Sequence, residues 1–133
     1  MPFVADNSIV VGWFIASQAD TNSNALLERA ITEDVHVPVI WRAEFASVLL
    51  VFMHKRRLNQ RQTNSIIEQI EKLEMIVDSN PPLVAALVDL GRRHSLGAYD
   101  AAYLELALRM RLPLATRDKA LRNAAIRAGV AIA

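Results

Sequence analysis

The chain of 133 residues has no cysteine, which excludes a disulfide framework and any thiolate metal site. It also lacks a long hydrophobic run: nothing approaches the roughly 18 apolar residues of a membrane-spanning helix. The nearest stretch, SIVVGWFIA at residues 8–16, follows Asp6 rather than a basic segment and does not read as a secretory signal. An excess of one charge is missing too. The net charge is +1, which by itself calls for no polyanionic partner. The three histidines, His36, His54 and His94, show no ligand spacing. No internal repeat, low-complexity segment or linker divides the chain. These absences point to a cytoplasmic protein without a membrane segment.

What is present describes a folded chain. Hydrophobic residues make up 53% and charged residues 22%, enough for residues 1–133 to form a single domain with its own core. Basic residues gather at His54–Arg57, Arg92–His94, Arg109 with Arg111, and Arg117 with Lys119 and Arg122. Most of these read as helix C-terminal residues that offset the dipole; a phosphate-binding rim is the other reading they allow.

Patterning gives alternating strands and helices. Phe3–Ala5 is a short strand ending at Asp6, and Ser8 onward is helical although it contains Gly12. Thr21–Asn24 is expected to cap a second helix over Ala25–Ile31. Val35–Val39 is a strand, Trp41–His54 a helix, and Gln60–Leu73 another with Ile66, Ile67 and Ile70 on one side. Met75–Val77 is a strand ending at Asp78, followed by a helix opened by Pro81 and running to Arg93. Gly97–Arg111 is a helix, Leu114–Thr116 a strand and Lys119–Ala128 a helix stopped by Gly129. Val130–Ile132 is a last strand. Short apolar strands separated by helices predict an α/β fold, three layers α/β/α, around a parallel sheet of four or five strands.

Four acids stand out against this frame. In open parallel sheets ligands bind beyond the carboxyl ends of the strands. Asp6 ends the first strand, Asp118 closely follows the fourth, and Glu44 and Asp100 lie in the first turns of helices. All four therefore belong to one edge of the sheet. Asp100 heads the stripe Tyr103, Leu104, Ala107 and Leu108, so its carboxylate is expected to point inward or into a cleft. Glu44 also heads an apolar stripe, Val48, Val51 and Phe52, which favours a functional reading of it. A lone buried carboxylate is costly unless paired or metal-bound. Each acid has a plainer reading: Asp6 and Asp118 as helix N-caps, Glu44 as a favourable charge at a helix start. Taken together, one shared site explains them better than four coincidences. Carboxylates so clustered raise one another's pKa unless a cation neutralises them. An all-oxygen set suits Mg²⁺ or Mn²⁺, which serve phosphate chemistry. Ser8 and Thr116, beside the acids, could orient a carboxylate or hold a bound water; turn and cap hydrogen bonding is the alternative.

The segments VADNS (4–8), VPVIWRAEFASVL (37–49), LGAYDAAYLELALRMRLPLATRDKAL (96–121) and AAIRAGV (124–130) together resemble the PIN-domain family. Within it they resemble the VapC-like toxin ribonucleases of prokaryotic toxin–antitoxin pairs. The resemblance spans essentially the whole chain. It implies a Mg²⁺- or Mn²⁺-dependent endoribonuclease with Asp6, Glu44, Asp100 and Asp118 as the acidic site and Ser8 and Thr116 as supporting neighbours. It further implies a homodimer, an RNA substrate and a small antitoxin that blocks the site. Asn7 receives no role. Trp13 and Trp41 are open to two readings, as a partner surface or as core.

Competing readings stay open at this level. A phospho-receiver-like signalling domain would use Asp6, Asp78, Thr116 and Lys119. That fold, however, places one helix between successive strands, where this sequence predicts two, and it leaves Glu44 and Asp100 unexplained. A non-catalytic metal-binding module and a DNA-directed phosphodiesterase are the others; only the resemblance favours RNA.

Overall fold

The computed structural model describes residues 1–133. The elements run β1 (Phe3–Ala5), α1 (Asn7–Phe14), a 3-10 turn (Ala16–Gln18), α2 (Thr21–Thr32), β2 (Val35–Val37), α3 (Ile40–His54), α4 (Gln60–Lys72), β3 (Ile76–Val77), α5 (Val84–His94), α6 (Ala98–Met110), β4 (Leu114–Ala115) and α7 (Lys119–Arg127). Two helices separate every pair of successive strands. The strands form one parallel sheet in the order β3-β2-β1-β4. Phe3 lies opposite Val35, Val4 opposite both His36 and Leu114, and Ala5 opposite Ala115. β1 is buried on both faces, with Phe3, Val4 and Ala5 fully covered, so its sequence is apolar throughout rather than alternating.

The topology fixes where a site can be. The chain moves outward from β1 to β2 to β3, then returns across the sheet to β4 on the other side of β1. Right-handed crossovers put connections that run in opposite directions on opposite faces. The result is three layers, with the strand order switching between β1 and β4. A crevice opens at such a switch, beyond the carboxyl ends of the two strands.

Side-chain caps start four of the helices: Asp6, Asp20, Asn59 and Asp118 cap α1, α2, α4 and α7. Each is a contribution of about 1 kcal/mol. Aromatic packing closes the core beside α3, where Trp41 stacks on Phe45 at 5.9 Å between centroids and Phe14 meets Phe45 edge-on at 6.3 Å. Trp13 and Trp41 are each 8% exposed, so both belong to the core. Gly12 is explained by close approach: a Cβ there would lie 3.0 Å from the Cβ and Oγ of the fully buried Ser23 on α2.

Several expectations are corrected. α2 begins at Thr21, because the Asp20 carboxylate accepts from the Ser23 amide and the Ser23 hydroxyl accepts from the Asp20 amide. α5 begins at Val84 rather than at Pro81; Pro82 disfavours the helical region for the residue before it. The segment Val130–Ile132 makes one bridge, Leu114 with Ile132, so the sheet has four strands. In α3 the buried stripe is Trp41, Phe45 and Leu49, not the one headed by Glu44, and Val51 is 45% exposed. In α6 Tyr103, Leu104 and Ala107 are buried as expected but Leu108 is 36% exposed; in α4 Ile67 is 40% exposed.

Candidate active site

Asp6, Glu44, Asp100 and Asp118 line one cleft of about 340 Å³, together with Asn7, Ser8, Tyr103 and Arg117. It lies beyond β1 and β4, at the switch in strand order. Asp6 ends β1, its amide donating to Ala115 O at 3.0 Å and extending the β1–β4 ladder. Asp118 follows β4 after two residues. Asp100 comes from the first turn of α6, as expected, whereas Glu44 comes from the second turn of α3, because that helix already starts at Ile40.

Asp6 is 4% exposed and its carboxylate is held on both oxygens. Ser8 Oγ donates to Oδ1 at 2.5 Å and Thr116 Oγ1 donates to Oδ2 at 2.6 Å. Each hydroxyl in turn accepts a backbone amide of the loop after β4: Arg117 N reaches Ser8 Oγ at 3.1 Å and Asp118 N reaches Thr116 Oγ1 at 3.0 Å. Two parallel relays thus run from the β4–α7 loop to one carboxylate. They set its orientation and place Asp118 relative to it. The cap reading of Asp6 holds as well, through a longer bond from Ile9 N at 3.4 Å.

Glu44 is half-buried and accepts from the Tyr103 hydroxyl at 2.7 Å. Tyr103 is 1% exposed and one helical turn beyond Asp100, so the same face of α6 carries one acid and steadies another. Asp100 receives no hydrogen bond. Asp118 is exposed at the rim, where its Oδ1 accepts Leu121 N at 2.9 Å and caps α7.

The electrostatics follow from this enclosure. Burial pushes the Asp6 carboxyl up despite the bonds from Ser8 and Thr116. Burial also raises Glu44, with Asp100 and Asp6 adding to it and the Tyr103 bond opposing. Asp100 is raised by burial, then by Asp118 and Asp6. The one cation lining the cleft is Arg117. Its guanidinium is engaged elsewhere, with Asp20 at 3.3 Å and with Gln18 O at 2.5 Å. The site therefore holds negative charge that the chain does not neutralise.

That imbalance, and an all-oxygen donor set, fit a hard divalent cation. No group of three or more acids or histidines is gathered closely enough to hold an ion among its side chains alone. Magnesium is usually bound through one or two carboxylates with its own waters, a demand the cleft can meet. Asp78, Thr116 and Lys119 do not form a receiver-type cluster: Asp78 lies at the end of β3, paired with Arg109 at 2.6 Å.

Two neighbours of the acids are not evident in the sequence. Tyr103 reads there as part of an apolar stripe, although its spacing from Asp100 carries the signal. Asn7 carries none. Its Oδ1 is buried beside the acids without a hydrogen-bond partner.

Comparison with known proteins places this architecture. A family model described as PIN domain matches residues 3–127. Among solved structures, FitAcB from Neisseria gonorrhoeae superposes with a TM-score of 0.69 at 23% identity, covering 99% of this chain and 96% of that one. PAE2754 from Pyrobaculum aerophilum gives 0.70 at 17% identity, over 93% and 84%. VapBC2 from Rickettsia felis, bound to a DNA fragment from its promoter, gives 0.64 at 18%, over 92% of each chain. No curated protein sequence matches.

Proposed function

The chain belongs to the PIN domain family, and from that premise we propose that it is a metal-dependent endoribonuclease, the toxin of a toxin–antitoxin pair. One observation carries the reading: four acids from distant parts of the sequence line a single cleft whose charge the chain leaves unbalanced. Asp6, Glu44, Asp100 and Asp118 would hold Mg²⁺ or Mn²⁺, directly or through water. Such an ion supplies an activated water and stabilises the charge that develops as a phosphodiester is displaced.

The chain's own groups have distinct tasks. Ser8 and Thr116 fix the rotamer of Asp6 from both sides, so its lone pairs are aimed before any ligand arrives. Tyr103 does the same for Glu44. Asp100, free of internal donors, is the carboxylate most available to a cation or to a water. Arg117, tied to Asp20 and Gln18, closes the rim.

The sequence resemblance to VapC-like toxins, with the fold-level likeness to VapBC2 and FitAcB, supports a small antitoxin that covers the cleft, a homodimer and action in the cytoplasm. No helix is long and apolar enough to cross a membrane. The test is incubation of the purified protein with total cellular RNA and with single-stranded DNA, in Mg²⁺, Mn²⁺ or EDTA, beside Asp100→Asn. Discrete metal-dependent RNA fragments, absent in the variant, are expected. Equal cleavage by the variant would overturn the site, and cleavage of DNA alone would overturn the substrate.

A further inference from the structure

At the corner between α3 and α4 the chain sets down cations without anions. Lys55, Arg56, Arg57 and Arg61 are all exposed and none forms an ion pair. Of the other cations, Arg29, Lys72, Arg92, Arg93, Arg109 and Arg117 each have an acidic partner, while Arg42, Arg111, Lys119, Arg122 and Arg127 are also without one. What distinguishes the corner is that four unpaired cations fall within seven residues of sequence. Offsetting the helix dipole accounts for Lys55 at the end of α3. It does not account for Arg61, which stands in the first turn of α4, where the dipole opposes a positive charge and no acid is present. The corner therefore gathers four exposed cations that no acid of the chain pairs with.

This corner is joined to the acidic cleft by a continuous surface. Asn7, Glu44 and Val48 line the cleft and also the head of a groove along α3, which extends to Phe52. Phe52 then lines the next depression, with Arg57 and Arg61 on its wall. The Arg57 guanidinium lies 5.9 Å from the centroid of the Phe52 ring, which places a cation at the junction. From Glu44 to Lys55 the helix advances about 16 Å at its usual rise. Tyr99, 64% exposed, borders the first groove. The groove along α3 is itself mostly apolar and carries no cation; the charges stand where it opens into the next depression, Arg57 and Arg61 on its wall and Lys55 exposed at the same corner. An exposed aromatic face at one end and cations at the other make up the chemistry that holds single-stranded nucleic acid, a base on the ring and phosphates on the charges.

We propose that the groove along α3 carries the RNA strand away from the acidic cleft, and that Lys55, Arg57 and Arg61 hold its phosphates a few nucleotides from the scissile bond. This rests on the ribonuclease reading for the identity of the strand. It assigns the corner to substrate hold rather than to chemistry.

The experiment measures binding apart from cleavage. Fluorescent, 2′-O-methylated RNAs of about 16 and about 4 nucleotides, the range of single-strand sites, are titrated by anisotropy in EDTA. The proteins are the full chain and its Lys55→Gln/Arg61→Gln variant, with Arg57→Gln made separately because Arg57 also packs on Phe52. Affinity for the long RNA is expected to fall about tenfold in the double variant. The slope of log K against log salt is expected to drop by about 1.4, or about 0.7 for each phosphate no longer neutralised. Affinity for the short RNA, and kcat on a short cleavable substrate, are expected to stay unchanged. Equal affinity and slope for the long RNA in wild type and variant would overturn the proposal. So would a variant that keeps RNA binding but loses a co-purifying partner protein, since the corner would then be a protein-docking surface. RNA binding through the corner in a protein that cleaves nothing would support the surface and remove only the ribonuclease reading. Arg61→Gln alone serves as the folding control, because it removes a charge from an unfavourable helix start and should melt no lower than wild type.

Discussion

Replacing Thr116 by valine probes the relays that hold Asp6. Valine keeps the branched shape and exchanges the hydroxyl for a methyl group. At 5% exposure, Thr116 donates to Asp6 Oδ2 at 2.6 Å and accepts Asp118 N at 3.0 Å. A hydrogen bond to a charged group contributes about 1.5–3 kcal/mol, and a buried donor left without a partner costs about 1–3 kcal/mol. The Asp118 amide is only part-buried and can turn to water, so its share falls at the low end. The sum is a loss of about 3 kcal/mol at pH 7, seen as a fall in Tm of about 10 °C for a domain of this size.

The pH dependence of that loss identifies its cause. Burial holds the folded pKa of Asp6 above the ordinary value of 3.8. The folded protein thus keeps this proton where the unfolded chain has released it. The group's contribution to stability is fully present below the unfolded pKa and is lost as pH rises through the folded one. The variant removes a bond that favours the charged form and moves the folded pKa further up. Its deficit is therefore largest at neutral pH and shrinks on acidification, as Asp6 takes up its proton. Urea unfolding at pH 7 and near pH 4 measures both effects. A deficit under about 0.5 kcal/mol at pH 7, the range of surface substitutions, or one that does not change with pH, would refute the reasoning.

Three further outcomes are expected. Asp100→Asn, besides ending cleavage, should stabilise the protein by about 1 kcal/mol at pH 7, the scale of a screened like-charge contact; because burial and the neighbouring acids raise the Asp100 pKa, the gain should shrink on acidification as its carboxyl takes up a proton, and thermal melts at neutral and acid pH decide it. Tyr103→Phe should lose about 1 kcal/mol in denaturant titrations and lower kcat on the order of tenfold by freeing Glu44, with KM little changed; an unaltered kcat would remove Tyr103 from the site. Gly12→Ala should gain about 1 kcal/mol in helix propensity yet lose more to overpacking against Ser23, a net destabilisation of about 1 kcal/mol by urea titration; a more stable variant would show that α1 and α2 can separate at no cost.

The architecture was legible where hydrophobic period and punctuation agreed. Phe3–Ala5, Gln60 onward, and Gly129, whose φ is +83°, stand where propensity puts them. Misreadings arose where a local signal competed with another. Pro81 offered a helix start that Pro82 withdrew. The stripe from Glu44 is apolar, but apolarity does not say whether a helix face meets a core or a groove. Val48 and Val51 line the groove, while Trp41, Phe45 and Leu49 meet the core. Spacing fixes which residues share a face and leaves open which face the fold covers.

The acids themselves were legible because their positions follow from topology: strand ends and helix starts of a parallel sheet lie on one edge whatever the sequence between them. Sequence alone thus determined the α/β class, the alternation of elements and the edge on which Asp6, Glu44, Asp100 and Asp118 would gather. Tertiary structure decided what each acid meets there. Hydroxyls from Ser8 and Thr116 hold Asp6, separated by 2 and 110 positions in sequence. The Tyr103 hydroxyl holds Glu44 across 59 positions, and Asp100 is left without a donor. Periodicity is a short-range property of the chain, whereas a hydrogen bond between distant residues exists only once packing has brought its two ends within about 3 Å.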